Sequence, residues 1–146
     1  HWEWIARIRA VVPQPVIANG EVWTVADHLR CCAVSGSDDV MIGRGAVADP
    51  FLARRILAQA AGEAVAADRC DDWRRLQPLL ASYWQQVCAK VVARHAPGRL
   101  KLWLGSLRRN FVEADALFMA VRALAGVEEI SRVLELHGIP VQRPLG

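Results

Sequence analysis

Two short apolar runs, Pro15-Val-Ile-Ala-Asn-Gly20 and Asp39-Val-Met-Ile-Gly43, each end in glycine and lie about one helix apart in the chain. No other feature of the sequence constrains the fold as much. Residues 16–18 and 40–42 read as buried strands, and a helix-length connection makes them parallel neighbours with a right-handed crossover. Parallel strands offer ligands their carboxyl ends, and both glycine signals fall there.

Around these runs the pattern is helical. Apolar side chains at Trp4, Ile5, Ile8, Val11 and Val12 repeat at a helical period until Pro13 and Pro15 stop it. Thr24 caps a helix running through Leu29 and Cys32 to Val34, and Ser35-Gly36 closes it. After Gly45 the helical pattern resumes, from Pro50 through Phe51, Leu52, Ile56 and Leu57, and beyond Ala58 no strand signal returns. Residues 59–69 read as a loosely specified connector. Asp71 or Asp72 then caps a long helix with apolar positions at 76, 80, 83, 84, 87 and 91, which Ala96-Pro-Gly-Arg99 breaks. Three further helices carry first Leu100, Trp103, Leu104, Leu107 and Phe111, next Leu117, Phe118, Val121 and Leu124, and last Val127, Ile130, Val133 and Leu134. Gly138 and Pro140 end the series. Short connections between amphipathic helices make antiparallel neighbours, hence a small helical bundle. The expected fold class is α/β plus all-α: an α/β part over 1–58, a connector over 59–70 and a helical domain over 71–146.

Composition narrows the function classes. A content of 53% hydrophobic and 23% charged residues belongs to a chain with a core, not to a disordered one. A formal charge of +3 is too mild to announce nucleic-acid binding, so the placement of charge has to decide. Cys31, Cys32, Cys70 and Cys88 show no CxxC or Cys/His spacing and read as reduced, mostly buried thiols, with no metal expected. No apolar run reaches the roughly 18 to 20 residues of a membrane span and no signal peptide is visible, so the expected location is cytoplasmic. His1-Trp2-Glu3-Trp4 begins inside an amphipathic pattern without an initiator Met, the expectation for a piece of a longer protein.

Asn19-Gly20 and Gly43-Arg44-Gly45 put several backbone N–H groups on one rim, where glycine lets a ligand approach without a β-carbon in the way. An anion suits such a nest, and Arg44 adds charge. Phosphate sites in (β/α)8 barrels use the loops after the last two strands, often with a short helix N-terminus aimed at the phosphate. Each string taken alone reads first as a tight turn; their pairing at adjacent strand ends favours a ligand.

The string PVIANGEV, followed one helix later by DDVMIGRGAVADPFL, resembles the flavin-binding end of the tRNA-dihydrouridine synthases. The likeness extends over essentially the whole chain, as the C-terminal half of such an enzyme. PVIANG is shared with several flavin barrels, whereas the longer string through IGRGA, followed by a helical bundle, is much more specific. The resemblance implies an FMN-binding (β/α)8 TIM barrel, of which this chain supplies the last two βα units, followed by a helical-bundle RNA-binding domain. Carried over residue by residue, it makes Asn19, Gly20 and Glu21 flavin contacts, and Gly43 and Arg44 contacts to the flavin phosphate. Many members have Asp where this chain has Glu21, and Gly-Asn-Pro where it has Ala48-Asp49-Pro50; both departures look like the C branch of the family.

A (β/α)8 barrel needs roughly 250 residues, so six of its strands are expected outside this chain. The family's general acid is a cysteine on a loop after an earlier strand. Cys31 and Cys32 lie in the crossover helix and Cys70 and Cys88 in the helical part, so no catalytic residue is carried over. The implied reaction of the whole protein is reduction of a uridine C5–C6 bond in tRNA, at position 16 of the D-loop in the C branch. Hydride passes from reduced FMN to C6, the absent cysteine protonates C5, and NADPH recharges the flavin. The chain alone is expected to be inactive and to bind FMN weakly or not at all.

Between Lys90 and Val112 the chain reads KVVARHAPGRLKLWLGSLRRNFV, with Lys90, Arg94, Arg99, Lys101, Arg108 and Arg109 and no acid, so +6 falls here against −3 elsewhere. Lys90 and Arg94 are i,i+4 neighbours on one expected helix, and Lys101 and Arg108 lie seven apart on the next, so two basic stripes converge near the 96–99 turn. Such a patch suits tRNA phosphates and gives affinity and orientation more than sequence readout. The alternative is a solvated helix face. His95 reads as a polar residue at a helix end, and Tyr83, Trp84 and Trp103 as bundle core before base-stacking groups.

Two other classes stay open: a stand-alone helical RNA-binding module with a vestigial α/β arm, and another flavin barrel of dihydroorotate-dehydrogenase type with an unrelated helical cap. Unpaired edges at residues 16–18 and 40–42 would invite non-native association.

Overall fold

The structure, a computed structural model, describes residues 1–63 and 70–141. The chain falls into two units, His1–Ala66 and Ala67–Gly146.

The first unit runs α1 (Trp2–Arg9), β1 (Ala18–Asn19), α2 (Val25–Ser35), β2 (Val40–Met41), α3 (Arg44–Ala48) and α4 (Leu52–Ala60). β1 and β2 pair in parallel, Ala18 opposite Val40 and Asn19 opposite Met41. The parallel pair with one crossover helix is therefore present, but each strand is only two residues long and neither is buried on both faces. Ala18 is fully buried and packs in a cluster with Val22 and Cys31, against which Trp2, Ile5, Val40 and Ile42 lie half-buried. On the other face Met41 is 55% exposed, and the preceding Ile17 is 61% exposed. Side chains alternate along a strand, and within this unit only the face toward α1 and α2 is covered.

Local chemistry fixes the ends of α2. The Thr24 hydroxyl accepts the Asp27 N–H at 3.0 Å while Asp27 Oδ2 accepts the Thr24 N–H at 3.1 Å, a reciprocal capping box. At the other end Gly36 takes the left-handed conformation, and Arg9 of α1 donates to the Ser35 and Gly36 carbonyls, satisfying acceptors that the helix leaves open. The Ser37 hydroxyl lies 2.8 Å from the Val16 carbonyl and 3.0 Å from that of Asp39, tying together the segments that lead into the two strands.

Gly43-Arg44-Gly45 is not an open loop: Gly43 is the N-cap of α3. Between α3 and α4, Asp49 is buried, pairs with Arg55 and accepts the Phe51 N–H at 3.1 Å. α4 continues to Ala60, two residues into the expected connector, whose positions 64–69 lie outside the described residues.

The second unit runs α5 (Cys70–Lys90), a 3-10 turn (Ala93–His95), α6 (Ala96–Leu107), α7 (Val112–Val121) and α8 (Val127–Leu136). Its buried positions recur at three- and four-residue spacing: Leu76, Leu80, Trp84 and Val87 on α5, Leu100, Leu104 and Leu107 on α6, Ala114, Leu117 and Val121 on α7, Ile130 and Leu134 on α8. The Trp84 indole donates to the Ser131 hydroxyl at 2.9 Å, giving a fully buried tryptophan a polar partner.

Four expectations are corrected here. Asp71 and Asp72 lie in the first turn of α5 and favour its dipole rather than capping it. The long helix ends at Lys90, and Ala96-Pro97-Gly98-Arg99 opens α6 instead of breaking a helix. A proline in the first turn has no needed N–H to lose, so the same residues that punctuate a helix also start one. Phe111 does not belong to α6; it is the extended, buried N-cap of α7. Cys31 is buried, but Cys32 is half-buried and Cys88 exposed. Among the described residues no helix is long and apolar enough to cross a membrane, and no group of three His, Cys, Asp or Glu is placed to hold a metal ion.

Candidate functional site

A cavity of ≈ 320 Å³ opens at the carboxyl ends of β1 and β2. Asn19, Gly20 and Glu21, following β1, and Gly43 and Arg44, following β2, all line it. Residues from two loops, separated by the whole of α2, thus meet on one surface of the first unit.

The turn after β1 is set by backbone conformation. Gly20 has φ 117° and Glu21 φ 52°, the latter being the single non-glycine residue with positive φ among those described. A β-carbon makes that conformation cost about 1–2 kcal/mol, so surrounding contacts must hold it. One such contact is direct: the Trp2 indole donates to the Gly20 carbonyl at 2.8 Å. The three glycines do different work. Gly45 lets the two loops touch, because a β-carbon there would stand 2.0 Å from the Val22 carbonyl oxygen. A β-carbon on Gly20 or Gly43 would meet no protein atom within 4 Å, so at these two positions the backbone is open to whatever enters.

Arg44 is the only cation and Glu21 the only anion among the lining residues. They pair across the cavity, Arg44 Nη2 on Glu21 Oε1. The other carboxylate oxygen, Oε2, accepts the Trp23 indole N–H at 2.8 Å, and the Arg44 guanidinium lies 5.4 Å from the centroid of the Trp23 ring. Trp23 is held in turn by its backbone N–H, which reaches Asp27 Oδ2 at 3.2 Å. The sequence reading missed Trp23. No local pattern marks it: the left-handed backbone at Glu21 is what turns the carboxylate to the indole. Met41, also unassigned from sequence, adds an exposed apolar element to the lining.

This set can bind an anion beside an apolar surface. None of Cys31, Cys32 and Cys88 lines the cavity. Burial, with Cys32 alongside, pushes the Cys31 thiol above its ordinary range, which keeps it protonated and unreactive at neutral pH.

In the second unit the basic segment is less uniform than its composition implies. Lys90 ends α5 and Arg94 sits in the 3-10 turn, so they do not share a helix face. Arg99 and Lys101 lie on α6, Arg108 caps its end and Arg109 follows. Lys101 Nζ donates to the Leu124 carbonyl at 2.7 Å. Arg108 pairs with Asp115 at 2.5 Å and stacks over the Phe118 ring at 4.6 Å, so a counter-charge arrives from outside the segment. Lys90, Arg94 and Arg99 are exposed. Trp84 is core; Tyr83 and Trp103 form a half-buried edge-to-face pair at 4.8 Å, with the Tyr83 hydroxyl on the Arg99 carbonyl at 3.2 Å.

Comparison with known proteins reaches both units. The family described as dihydrouridine synthase matches residues 1–126. The chain is 52% identical over 136 residues to the tRNA-dihydrouridine(16) synthase of Aquipseudomonas alcaligenes, covering 93% of this chain and 42% of that protein. It is 51% identical over 135 residues to the protein of the same name in Ralstonia nicotianae, covering 92% of this chain and 40% of that one. In Neisseria meningitidis serogroup A the corresponding figures are 36% over 135 residues, 92% and 40%. The chain therefore spans 40–42% of the length of these relatives.

Proposed function

Because the chain belongs to the dihydrouridine synthase family, we propose that the cavity at the ends of β1 and β2 is the phosphate end of a flavin site in the C-terminal part of a tRNA-dihydrouridine synthase. One observation carries this reading: the residues that the sequence resemblance assigned to flavin meet in a single cavity that holds one arginine and two open glycines. These residues fit the group. Gly43 and Arg44 would hold the FMN phosphate, through the open backbone at Gly43 and the Arg44 guanidinium. Asn19, Gly20 and Glu21 would hold the flavin beyond it. When bound, FMN supplies hydride chemistry, with NADPH as the reductant.

The whole protein, on this reading, converts a D-loop uridine of tRNA to 5,6-dihydrouridine in the cytoplasm. Position 16 and the C branch are favoured, since the relatives carry that position in their names. The exposed Ile17 and Met41 are read as a surface that the remaining strands of a (β/α)8 barrel cover. The helical unit docks the tRNA through phosphate contacts from Lys90, Arg94, Arg99, Lys101, Arg108 and Arg109, with the exposed Lys90, Arg94 and Arg99 contributing most. A target base must leave its stack to be reduced, so docking geometry selects the uridine.

The test is tRNA from cells lacking the full-length protein. Dihydrouridine at position 16 should vanish and return on complementation; dihydrouridine unchanged at 16 in the deletion overturns the assignment.

A further inference from the structure

We propose that Glu21 is a resident counter-ion for Arg44, positioned by Trp23, and that a phosphate monoester entering the cavity binds by displacing the Glu21 carboxylate from the guanidinium. The proposal rests on the flavin-site reading above and adds to it the residue that sets how strongly the cavity prefers a phosphorylated ligand.

The charges of the lining balance within themselves. The one cation faces the one anion, so an incoming phosphate finds Arg44 already neutralised. That pair is exchangeable, because the two side chains are 77% and 65% exposed and solvent screens an exposed ion pair. A phosphate offers more charge and more acceptor oxygens than a carboxylate, and forms the stronger charge-assisted bonds to a guanidinium.

Trp23 decides how effective the competitor is. A glutamate carboxylate on a loop samples many rotamers, and ordering it opposite Arg44 carries an entropic cost. The indole N–H fixes Oε2, which leaves Oε1 aimed at Arg44. The left-handed backbone of Glu21 and the tie from the Trp23 amide to Asp27 hold both ends of this bridge against the N-terminus of α2. The indole face also lies against the guanidinium, so Arg44 keeps one neighbour when Glu21 leaves it. Trp23 therefore acts through Glu21 and is a positioning residue.

Binding of FMN and of riboflavin, which lacks the phosphate, to the full-length protein gives the readout as the ratio of the two affinities. Arg44→Ala should collapse the ratio toward one; a ratio already near one in the wild type overturns the phosphate assignment itself. Glu21→Gln keeps the shape and an acceptor for Trp23 but removes the charge, and should raise the ratio about threefold or more. A ratio unchanged or lowered overturns the counter-ion role. Trp23→Phe keeps a ring beneath Arg44 and deletes the N–H; it should raise the ratio in the wild-type background and leave it unchanged in the Glu21→Gln background. Equal effects in both backgrounds overturn the positioning role. A second measurement needs no flavin: on adding inorganic phosphate at constant ionic strength, the Trp23 indole N–H resonance of the full-length protein should shift in the wild type and stay fixed in Glu21→Gln. A resonance that stays fixed in both overturns the proposal.

Discussion

Gly45 sits so close to Val22 that a β-carbon built on it would stand 2.0 Å from the Val22 carbonyl oxygen and 3.2 Å from the Leu52 side chain. The clash is with backbone, which cannot rotate away, so this contact sets how near the start of α3 comes to the loop after β1. It thereby sets the width of the cavity between Gly43-Arg44 and Asn19-Gly20-Glu21.

Gly45→Ala should consequently destabilise the first unit by about 1–3 kcal/mol, the range for overpacking a filled site, and should widen the cavity. Gly43→Ala meets no protein atom and should leave stability nearly unchanged. Denaturant unfolding of the two variants checks the contrast; equal losses would show that the open space at Gly43 is filled in solution.

Asp49 and Arg55 form a pair whose side chains are only 2% and 14% exposed, joining the end of α3 to α4. Removing one partner of a buried pair leaves the other charge less well compensated, which costs up to about 3–5 kcal/mol. Asp49→Ala should lose that much, and Asp49→Asn less, because an amide oxygen still accepts the Phe51 N–H. The comparison is read from denaturation midpoints at a common slope; equal losses for the two variants would remove the charge from the explanation.

Much of this was legible from local chemistry. Thr24 and Gly36 announce their helix ends because capping depends on neighbouring residues alone. The parallel pairing of β1 and β2 follows from the length of their connection. What depends on distant parts of the chain was not legible. Ala96 to Arg99 reads as a break, since proline and glycine punctuate helices, yet Pro97 falls in a first turn that tolerates it. The basic segment looks unbalanced because a local tally cannot see Asp115 reaching Arg108 around the α6–α7 corner. Nothing local marks Trp23, because only the fold brings Arg44 and Glu21 to it.

Cys31 ties stability to alkaline pH. Burial raises its thiol above the ordinary value of about 8.5, so the folded state holds the proton more tightly than the unfolded chain does. Its contribution is fully present below the ordinary value and is lost as pH rises through the folded one. Stability should therefore fall with pH above about 9, and Cys31→Ala should flatten that decline at the cost of a small cavity. At neutral pH a thiol reagent should modify the exposed Cys88 well before Cys31. Modification of Cys31 first, in folded protein, would contradict its burial.

The proposed tRNA contacts can be separated from cations engaged within the helical unit. Lys101 and Arg108 are occupied within the helical unit, Lys101 by the Leu124 carbonyl and Arg108 by Asp115 and the Phe118 ring. Arg94 and Arg99 are exposed. Each phosphate neutralised by a cation contributes about 0.7–0.9 to the slope of log affinity against log salt concentration. In the full-length protein, Arg94→Ala with Arg99→Ala should weaken tRNA binding and reduce that slope by about 1.4–1.8. Arg108→Ala should instead lower the unfolding midpoint and change the slope much less, since losing its carboxylate and ring contacts loosens the join between α6 and α7. Filter-binding titrations over a salt series, alongside thermal melts, distinguish the two. An unchanged slope in the double variant would remove Arg94 and Arg99 from the tRNA-contacting set. A flattened slope in Arg108→Ala would show that the Asp115 pair opens when tRNA docks.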